Sequence, residues 1–181
     1  MLQRSIALLR AINVGGHTVK MDALRKEFEA LGLLRVETFI ASGNVIFETK
    51  SANAGALEQK IERRLRESLG YEVATFVRDP AELTQVAAYE PFSPKELEAG
   101  VHGVYVGFVA TPPAAEATRR LLDRATREDL FHVQGKEVYW LARQPMTITP
   151  FSGGVIEKLI AMPATFRSIT TVRKLAAKYP R

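Results

Sequence analysis

The chain has 181 residues, of which 46% are hydrophobic and 25% charged, so it can bury a sizeable core. The net charge of +5 allows attraction to phosphates, but the 25 basic residues are interleaved with 20 acidic ones, unlike those of a dedicated nucleic-acid binder. The absence of cysteine excludes disulfides, thiolate nucleophiles and cysteine-ligated zinc. No apolar run approaches the ~20 residues of a membrane helix, so we expect a cytoplasmic protein without membrane contact.

The first half of the chain predicts the element order β-α-β-β-α-β. In its second helix Leu57, Ile61 and Leu65 recur every four residues on one face. Between its second and third strands, Ser42 and Gly43 suit a tight hairpin turn. The predicted elements are a strand over 5–11, a helix over 20–31, strands over 35–41 and 44–49, a helix over 54–69 and a strand over 72–77.

The second half resembles the first in element order, after a short helix over 79–89 and a connector over 90–100 that contains two prolines. We therefore predict an α+β fold of two ferredoxin-like βαββα(β) units in tandem, with antiparallel sheets and helices on one face. The predicted domains are 1–90 and 101–181, the second with an extra C-terminal helix. Its predicted elements are a strand over 102–110, a helix over 113–124, a hairpin over 128–134 and 137–142, and helices over 152–161 and 170–178.

Two glycine-containing loops are expected to meet at one edge of the first sheet. In a split βαβ unit the first two strands are parallel, so the loop after the first strand and the turn after the second lie at the same edge. Glycines there expose backbone N–H groups, and the helix that follows offers its N-terminus to an anion. Arg10, His17 and Lys20 would add positive charge. The predicted ligand-binding residues are Arg10, Asn13, Gly15, Gly16, Lys20, Ser42, Gly43 and Asn44.

The same residues also fit an ordinary loop and an ordinary hairpin turn, because neither segment matches a phosphate-loop or dinucleotide fingerprint. His17, His102 and His132 lack the spacing of metal ligands, so no metal site is expected, and no cofactor is indicated. No residue is predicted to be catalytic.

The segments LLRAINVGG (8–16) and TFIASGNVIF (38–47) resemble the signature of an uncharacterised bacterial family known as domain of unknown function 1697. The family pattern reads LLRGINVGG, so Ala11 here replaces a glycine. The resemblance covers the whole chain but weakens after about residue 100. It implies a fold of two α+β halves, and it makes the residues of the two loops the signature positions. It implies no activity.

Near the C-terminus, relatives carry a segment like TTRNWNTV, where this chain reads TFRSITTV over 165–172. By that resemblance Thr165, Arg167 and Thr171 form a candidate second site. Both asparagines and the tryptophan of the family segment are absent here, so an activity that depends on them would be lost or changed.

Three functions remain open from the sequence. The first is binding of a phosphate-bearing partner, either a small molecule such as a nucleotide or a nucleic-acid backbone, at the paired loops. The second is a protein-interaction scaffold or oligomer without a small ligand, because sheets with open edges can pair with other chains. The third is an acylphosphatase-like hydrolase, by analogy of fold alone. The sequence settles neither whether the protein is an enzyme nor its oligomeric state.

Overall fold

Strands and helices alternate along the chain in the computed structural model, which describes residues 1–12, 16–40 and 43–180. The strands are β1 (Gln3–Leu9), β2 (Leu34–Thr38), β3 (Asn44–Thr49), β4 (Thr75–Arg78), β5 (Gly103–Phe108), β6 (Asp129–Gln134), β7 (Glu137–Ala142) and β8 (Thr165–Ser168). The helices are α1 (Met21–Ala30), α2 (Ala54–Leu69), α3 (Pro80–Ala88), α4 (Pro94–Glu98), α5 (Ala115–Leu122), α6 (Gly153–Ile160) and α7 (Ile169–Lys178).

The strands form two four-stranded sheets with the same topology. The first has the order β2-β3-β1-β4 and the second the order β6-β7-β5-β8. All neighbouring strands are antiparallel. Because β3 lies between β1 and β2, those two strands are parallel, in agreement with the sequence prediction. The predicted α+β class, with two tandem units of antiparallel sheet and helix, is therefore confirmed.

The chain divides into two compact units. One comprises Met1–Leu83 together with Lys178–Arg181, and the other comprises Thr84–Ala177. The first unit thus includes the end of the chain as well as its beginning. The predicted domain bounds of 1–90 and 101–181 stay a prediction, because compactness alone does not show which segment folds independently.

In the first unit, both helices pack on one face of the sheet. Phe28 of α1 and Ile61 of α2 are fully buried in the same apolar cluster as Ala7 and Phe47 of the central strands. Fully burying one such large side chain is worth about 1.5–3 kcal/mol, so the apolar stripe of α2 largely holds that helix in place. Asn53 begins α2 by accepting the N–H of Ala56 at 2.9 Å.

In the second unit, helices α5 and α6 likewise share one cluster with the sheet, built around Trp140. The indole N–H of Trp140 donates to the Asp129 carboxylate at 2.9 Å. The hydroxyl of Thr149 donates to the same carboxylate at 2.9 Å. Asp129 is only 1% exposed, and these donors satisfy a buried charge that would otherwise be costly. The carboxylate thereby fixes the loop that carries Thr149 against the sheet.

Several element bounds shift from the sequence prediction, and three of the differences have a clear structural basis. The segment 165–168, for which the sequence predicts no strand, forms β8 and pairs with β5. Strand β2 ends at Thr38 instead of residue 41, because Ile40 has a φ of +59° and leaves the extended conformation. The connector over 90–100 contains α4, which begins with a capping box between Ser93 and Glu96.

Candidate functional site

The end of β1 is held between two loops of the first unit. The N–H of Leu9 donates to the carbonyl of Gly43 at 2.8 Å, and the N–H of Arg10 donates to the carbonyl of Ala74 at 2.9 Å. The β2–β3 hairpin and the segment before β4 therefore flank the point where β1 gives way to its loop. The two predicted glycine-containing loops do meet at one sheet edge in their described parts.

Gly43 is the residue at which the two loops come closest. Its φ is +80°, and a Cβ atom placed on it would lie 2.4 Å from Cγ2 of Ile12 and 3.0 Å from Cβ of Leu9. Both the backbone angle and the lack of space exclude any larger residue. Glycine at this position is thus required by the packing of the hairpin against the loop after β1.

Asn44 forms two hydrogen bonds across the loop of the β2–β3 hairpin. Asn44 is fully buried, and its side-chain amide donates to the backbone carbonyl of Phe39 at 2.8 Å. The backbone carbonyl of Asn44 accepts the N–H of Phe39 at 3.0 Å. The side-chain amide of Asn44 therefore stabilises the conformation of the loop between the two strands. Direct contact of Asn44 with a ligand stays a prediction.

Each loop contains a non-glycine residue in the left-handed region. Ala11, after β1, has a φ of +55°, and Ile40, after β2, has a φ of +59°. This region costs an L-residue roughly 1–2 kcal/mol. Backbone outliers of this kind cluster at functional sites, where surrounding contacts maintain the strain. The left-handed backbone at Ala11 therefore explains why the family signature has a glycine at this position.

Helix α1 begins at this edge without a side-chain cap. Lys20 precedes the helix in an extended conformation, makes no capping hydrogen bond through its side chain and is exposed. Asn53 caps α2 and Ser152 caps α6, whereas α5, like α1, starts without a side-chain cap. The start of α1 therefore retains the partial positive charge of its first N–H groups and can attract an anion. Gly16, which lies before it, has a φ of +86°, and a Cβ atom placed on it would have no heavy atom within 4 Å.

A tyrosine that no sequence pattern singles out lies beside this loop. The rings of His17 and Tyr71 stack with centroids 3.8 Å apart. The hydroxyl of Tyr71 is buried and has no hydrogen-bond partner among the described residues. A buried polar atom without a partner calls for a physical explanation, such as an unseen water or ligand. Only the helix stop at Gly70, just before it, marks this position in the sequence.

The C-terminal segment adds a further cation near the hairpin. The ammonium of Lys178 lies 5.1 Å from the ring centroid of Phe39, and the hydroxyl of Tyr179 donates to the Glu37 carboxylate at 3.0 Å. Burial raises the pKa of Tyr179. These contacts join residues up to 142 positions apart, so no local sequence pattern could reveal them.

Of the predicted ligand-binding residues, Asn13, Gly15 and Ser42 lie outside the described residues. The others, Arg10, Gly16, Lys20, Gly43 and Asn44, belong to the elements just described. Arg10 is partly buried and Lys20 is exposed. Within the ranges 1–12, 16–40 and 43–180, no group of acidic and histidine side chains could hold a metal ion.

The candidate second site divides between two structural motifs. In β8 the guanidinium of Arg167 donates to the hydroxyl of Thr165 at 2.8 Å, and both residues are buried. Thr171 lies in the first turn of α7, where its N–H donates to the Ser168 hydroxyl at 3.2 Å. Ser168 thus caps α7. Burial lowers the pKa of Arg167 to about 10, which leaves it charged at neutral pH.

Arg167 has a counterpart in the first unit that sequence reasoning missed. Arg78, the last residue of β4, is fully buried and donates to the carbonyl of the preceding residue at 3.0 Å. Arg167 makes the same bond to its own preceding carbonyl at 2.9 Å. Both arginines lie on the fourth strand of their unit and just before a helix. This repetition favours a structural role in the fold for both.

The described part of the chain contains no helix long and apolar enough to cross a bilayer.

The fold is similar to a solved structure, "conserved bacterial protein SP0830 from Streptococcus pneumoniae", with a TM-score of 0.75, 19% identity and 100% of both chains covered. No curated protein matches the chain. A family model matches residues 2–139, which is most of the chain, and its range contains both loops of the candidate site. The chain therefore belongs to the family described as "Protein of unknown function (DUF1697)".

Proposed function

We propose that the chain binds a phosphate-bearing ligand at the sheet edge where the loop after β1 meets the β2–β3 hairpin. The proposal rests on the close packing of the two loops at Gly43, and on the helix that follows the first of these loops, which starts without a side-chain cap. Such a start offers N–H donors and a favourable dipole to an anion. The nearby orphan hydroxyl of Tyr71 supplies one further donor.

The charges around this edge favour an anion. Arg10 and Lys20 flank the loop after β1, and His17 lies between them in sequence. One carboxylate is present in the first turn of α1, that of Asp22, and it lies 3.7 Å from the guanidinium of Arg25. That pairing reduces its repulsion of a bound phosphate.

The ligand class is a nucleotide or a nucleic-acid backbone, both of which present exposed phosphate groups to such an edge. An acylphosphatase-like reaction is less well supported, because it rests on analogy of fold alone, and Asn44 already donates one amide N–H to the carbonyl of Phe39. We therefore propose that the chain binds the phosphate-bearing ligand and does not hydrolyse it.

Isothermal titration calorimetry of the full chain tests it, with inorganic phosphate, adenosine and guanosine nucleotides and a short single-stranded RNA as probes. We expect binding that weakens with salt and that falls about tenfold or more in Arg10→Ala or Lys20→Ala, since each removes a charged donor. The matched control is Lys158→Ala, which removes the same charge from an exposed lysine in the second unit. Equal losses in the control and the two variants, or no binding of any probe, would refute the site.

A further inference from the structure

The loop before α1 and the segment after α2 contribute one ring each to an aromatic pair. Tyr71 packs against the apolar cluster of the first unit, which includes Phe28 and Ile61 of the two helices. The imidazole of His17 stacks on the Tyr71 ring, with centroids 3.8 Å apart and an angle of 27° between the ring planes. His17 itself is exposed. The pair therefore extends from the core of the unit to its surface.

The imidazole of His17 keeps one face open to solvent. Because Tyr71 covers one face of the ring, the opposite face is the broad surface that remains accessible. Among residues 1–12, 16–40 and 43–180, Tyr71 is the single ring contact of His17, and neither imidazole nitrogen forms a hydrogen bond. Stacking on a ring that packs on the core also restricts rotation of the imidazole. A flat ligand on its open face would therefore cost little further side-chain entropy.

The groups around this face are also available to a ligand. The hydroxyl of Thr18 and the ammonium of Lys20 are exposed and form no hydrogen bond with any other described residue. A Cβ atom placed on Gly16 would have no heavy atom within 4 Å, so the space beside the loop backbone is open. Water can satisfy the exposed groups, but the Tyr71 hydroxyl is buried and lacks a described partner. Such a hydroxyl is satisfied by a ligand or by a water bound with it.

The open face of His17 lies within one small molecule's length of the start of α1. His17 precedes Lys20 by three residues, and Lys20 directly precedes the helix. An extended chain covers at most about 3.6 Å per residue, so three residues span no more than about 11 Å. The base and the terminal phosphate of a nucleoside triphosphate are separated by a comparable distance. One such molecule can therefore contact the ring and the helix start together.

We propose that the ligand of this edge is a nucleotide whose base stacks on the open face of His17. The inference rests on the phosphate site proposed above and identifies the part of the ligand that phosphate contacts cannot select. Every nucleobase has a flat π face, and stacking on an aromatic side chain contributes substantially to affinity. The helix start and Lys20 hold the phosphates, and the ring pair of His17 and Tyr71 provides the preference for a base.

The geometry favours stacking over a purely electrostatic role for His17. A histidine that acts through its charge or its proton is normally oriented by hydrogen bonds to its ring nitrogens. In the described part of the chain, His17 is instead oriented through its face, by Tyr71. The two roles differ in what phenylalanine can replace, because phenylalanine keeps a flat aromatic face and has neither charge nor ring nitrogen.

Isothermal titration calorimetry of the full chain with ATP and with inorganic triphosphate tests the proposal. The buffer contains EDTA and is held at pH 8, at which histidine side chains are ordinarily uncharged. Inorganic triphosphate carries at least as much negative charge as ATP, so tighter binding of ATP cannot come from charge. We expect the wild type to bind ATP at least about fivefold more tightly. His17→Ala should remove this preference with little change for triphosphate, and His17→Phe should retain it.

Two further variants serve as matched controls. His102→Ala removes an exposed histidine from the second unit and should change the affinity for neither probe. Tyr71→Phe removes the buried hydroxyl but keeps both rings, so it should retain the preference for ATP over triphosphate. Loss of the preference in His17→Phe, to the same extent as in His17→Ala, would overturn the stacking.

Proton NMR provides a direct readout of the stack. The chain has three histidines, and the resonances of the His17 ring are assigned by their absence in His17→Phe. A base stacked on this ring shifts its proton resonances upfield, so we expect ATP to shift them and triphosphate to leave them nearly unchanged. Equal shifts with both probes would overturn the proposal.

Failure of this inference can be distinguished from failure of the phosphate site. If neither probe binds, the phosphate site is refuted and the stacking with it. If ATP and triphosphate bind equally, or if His17→Ala weakens the binding of both by the same factor, the phosphate site stands and the stacking on His17 is refuted.

Discussion

Replacing Ala11 by glycine, the residue of the family signature, should stabilise the protein. Ala11 has a φ of +55° and is exposed, so the substitution relieves backbone strain without removing buried contacts. The left-handed conformation costs an L-residue roughly 1–2 kcal/mol. Glycine gives back about 0.4–1 kcal/mol through the greater freedom of the unfolded chain. The expected net gain in the free energy of unfolding is about 0.5–1 kcal/mol, or a rise in Tm of about 1–4 °C for a chain of this length.

Differential scanning calorimetry at one scan rate measures the change, with two alanines as matched comparisons. Ala161, which ends α6 with a φ of +58° and is also exposed, should show a similar gain when replaced by glycine. Ala23, exposed within α1, should show a loss of about 1 kcal/mol. If Ala11→Gly lowers Tm as Ala23→Gly does, the left-handed backbone at residue 11 does not govern its stability and the reasoning is wrong.

Three further substitutions test the contacts that shape the two units. Gly43→Ala should cost about 2–4 kcal/mol of unfolding free energy by urea denaturation, because the added Cβ has neither the space nor the backbone angle that it needs. Glu62→Ala should cost about 1–2 kcal/mol by the same method, since it leaves the N–H of Thr75 without its acceptor. Asp129→Ala should cost about 2–4 kcal/mol and change the fluorescence of Trp140, the single tryptophan, whose indole N–H loses its partner.

For each of these substitutions, a different outcome would contradict the expected result. The control for Glu62 is Glu67→Ala, an exposed glutamate of the same helix, which should change the unfolding free energy by less than about 0.5 kcal/mol. Equal effects of the two substitutions would show that helix charge, and not the cap on β4, is responsible. A Gly43→Ala variant as stable as the wild type would mean that the hairpin can move away from the loop after β1. An unchanged tryptophan emission in Asp129→Ala would place the indole in contact with another acceptor.

The sequence predicts elements well where periodicity is strong and poorly where a strand is defined by its neighbours. The predicted bounds of α2 agree with the structure because three apolar residues mark one face over its full length. Strand β8 escaped prediction because its four residues show no clear alternation, and a helix follows it directly. What makes that segment a strand is its pairing with β5, which lies some 60 residues earlier in the chain.

The same distinction holds for the candidate site. That the two loops meet could be predicted, because the strand order of a split βαβ unit places them at one edge. The stacking of Tyr71 on His17 could not, since it joins segments on either side of α2. The cation at Lys178 could not either, because it reaches Phe39 only through the return of the chain end to the first unit.

The two units end in the same way and differ at the opposite edge of their sheets. In each unit a helix carboxylate accepts a backbone N–H at or just before the start of the last strand, and a buried arginine in that strand donates to the carbonyl before it. These contacts hold the start of the last strand against the helix that precedes it in both units. At the other edge, β2 has a register shift against β3 between Leu34 and Glu37, whereas β6 pairs with β7 in unbroken register. The same topology therefore carries different edge strands in the two units, one irregular and one regular.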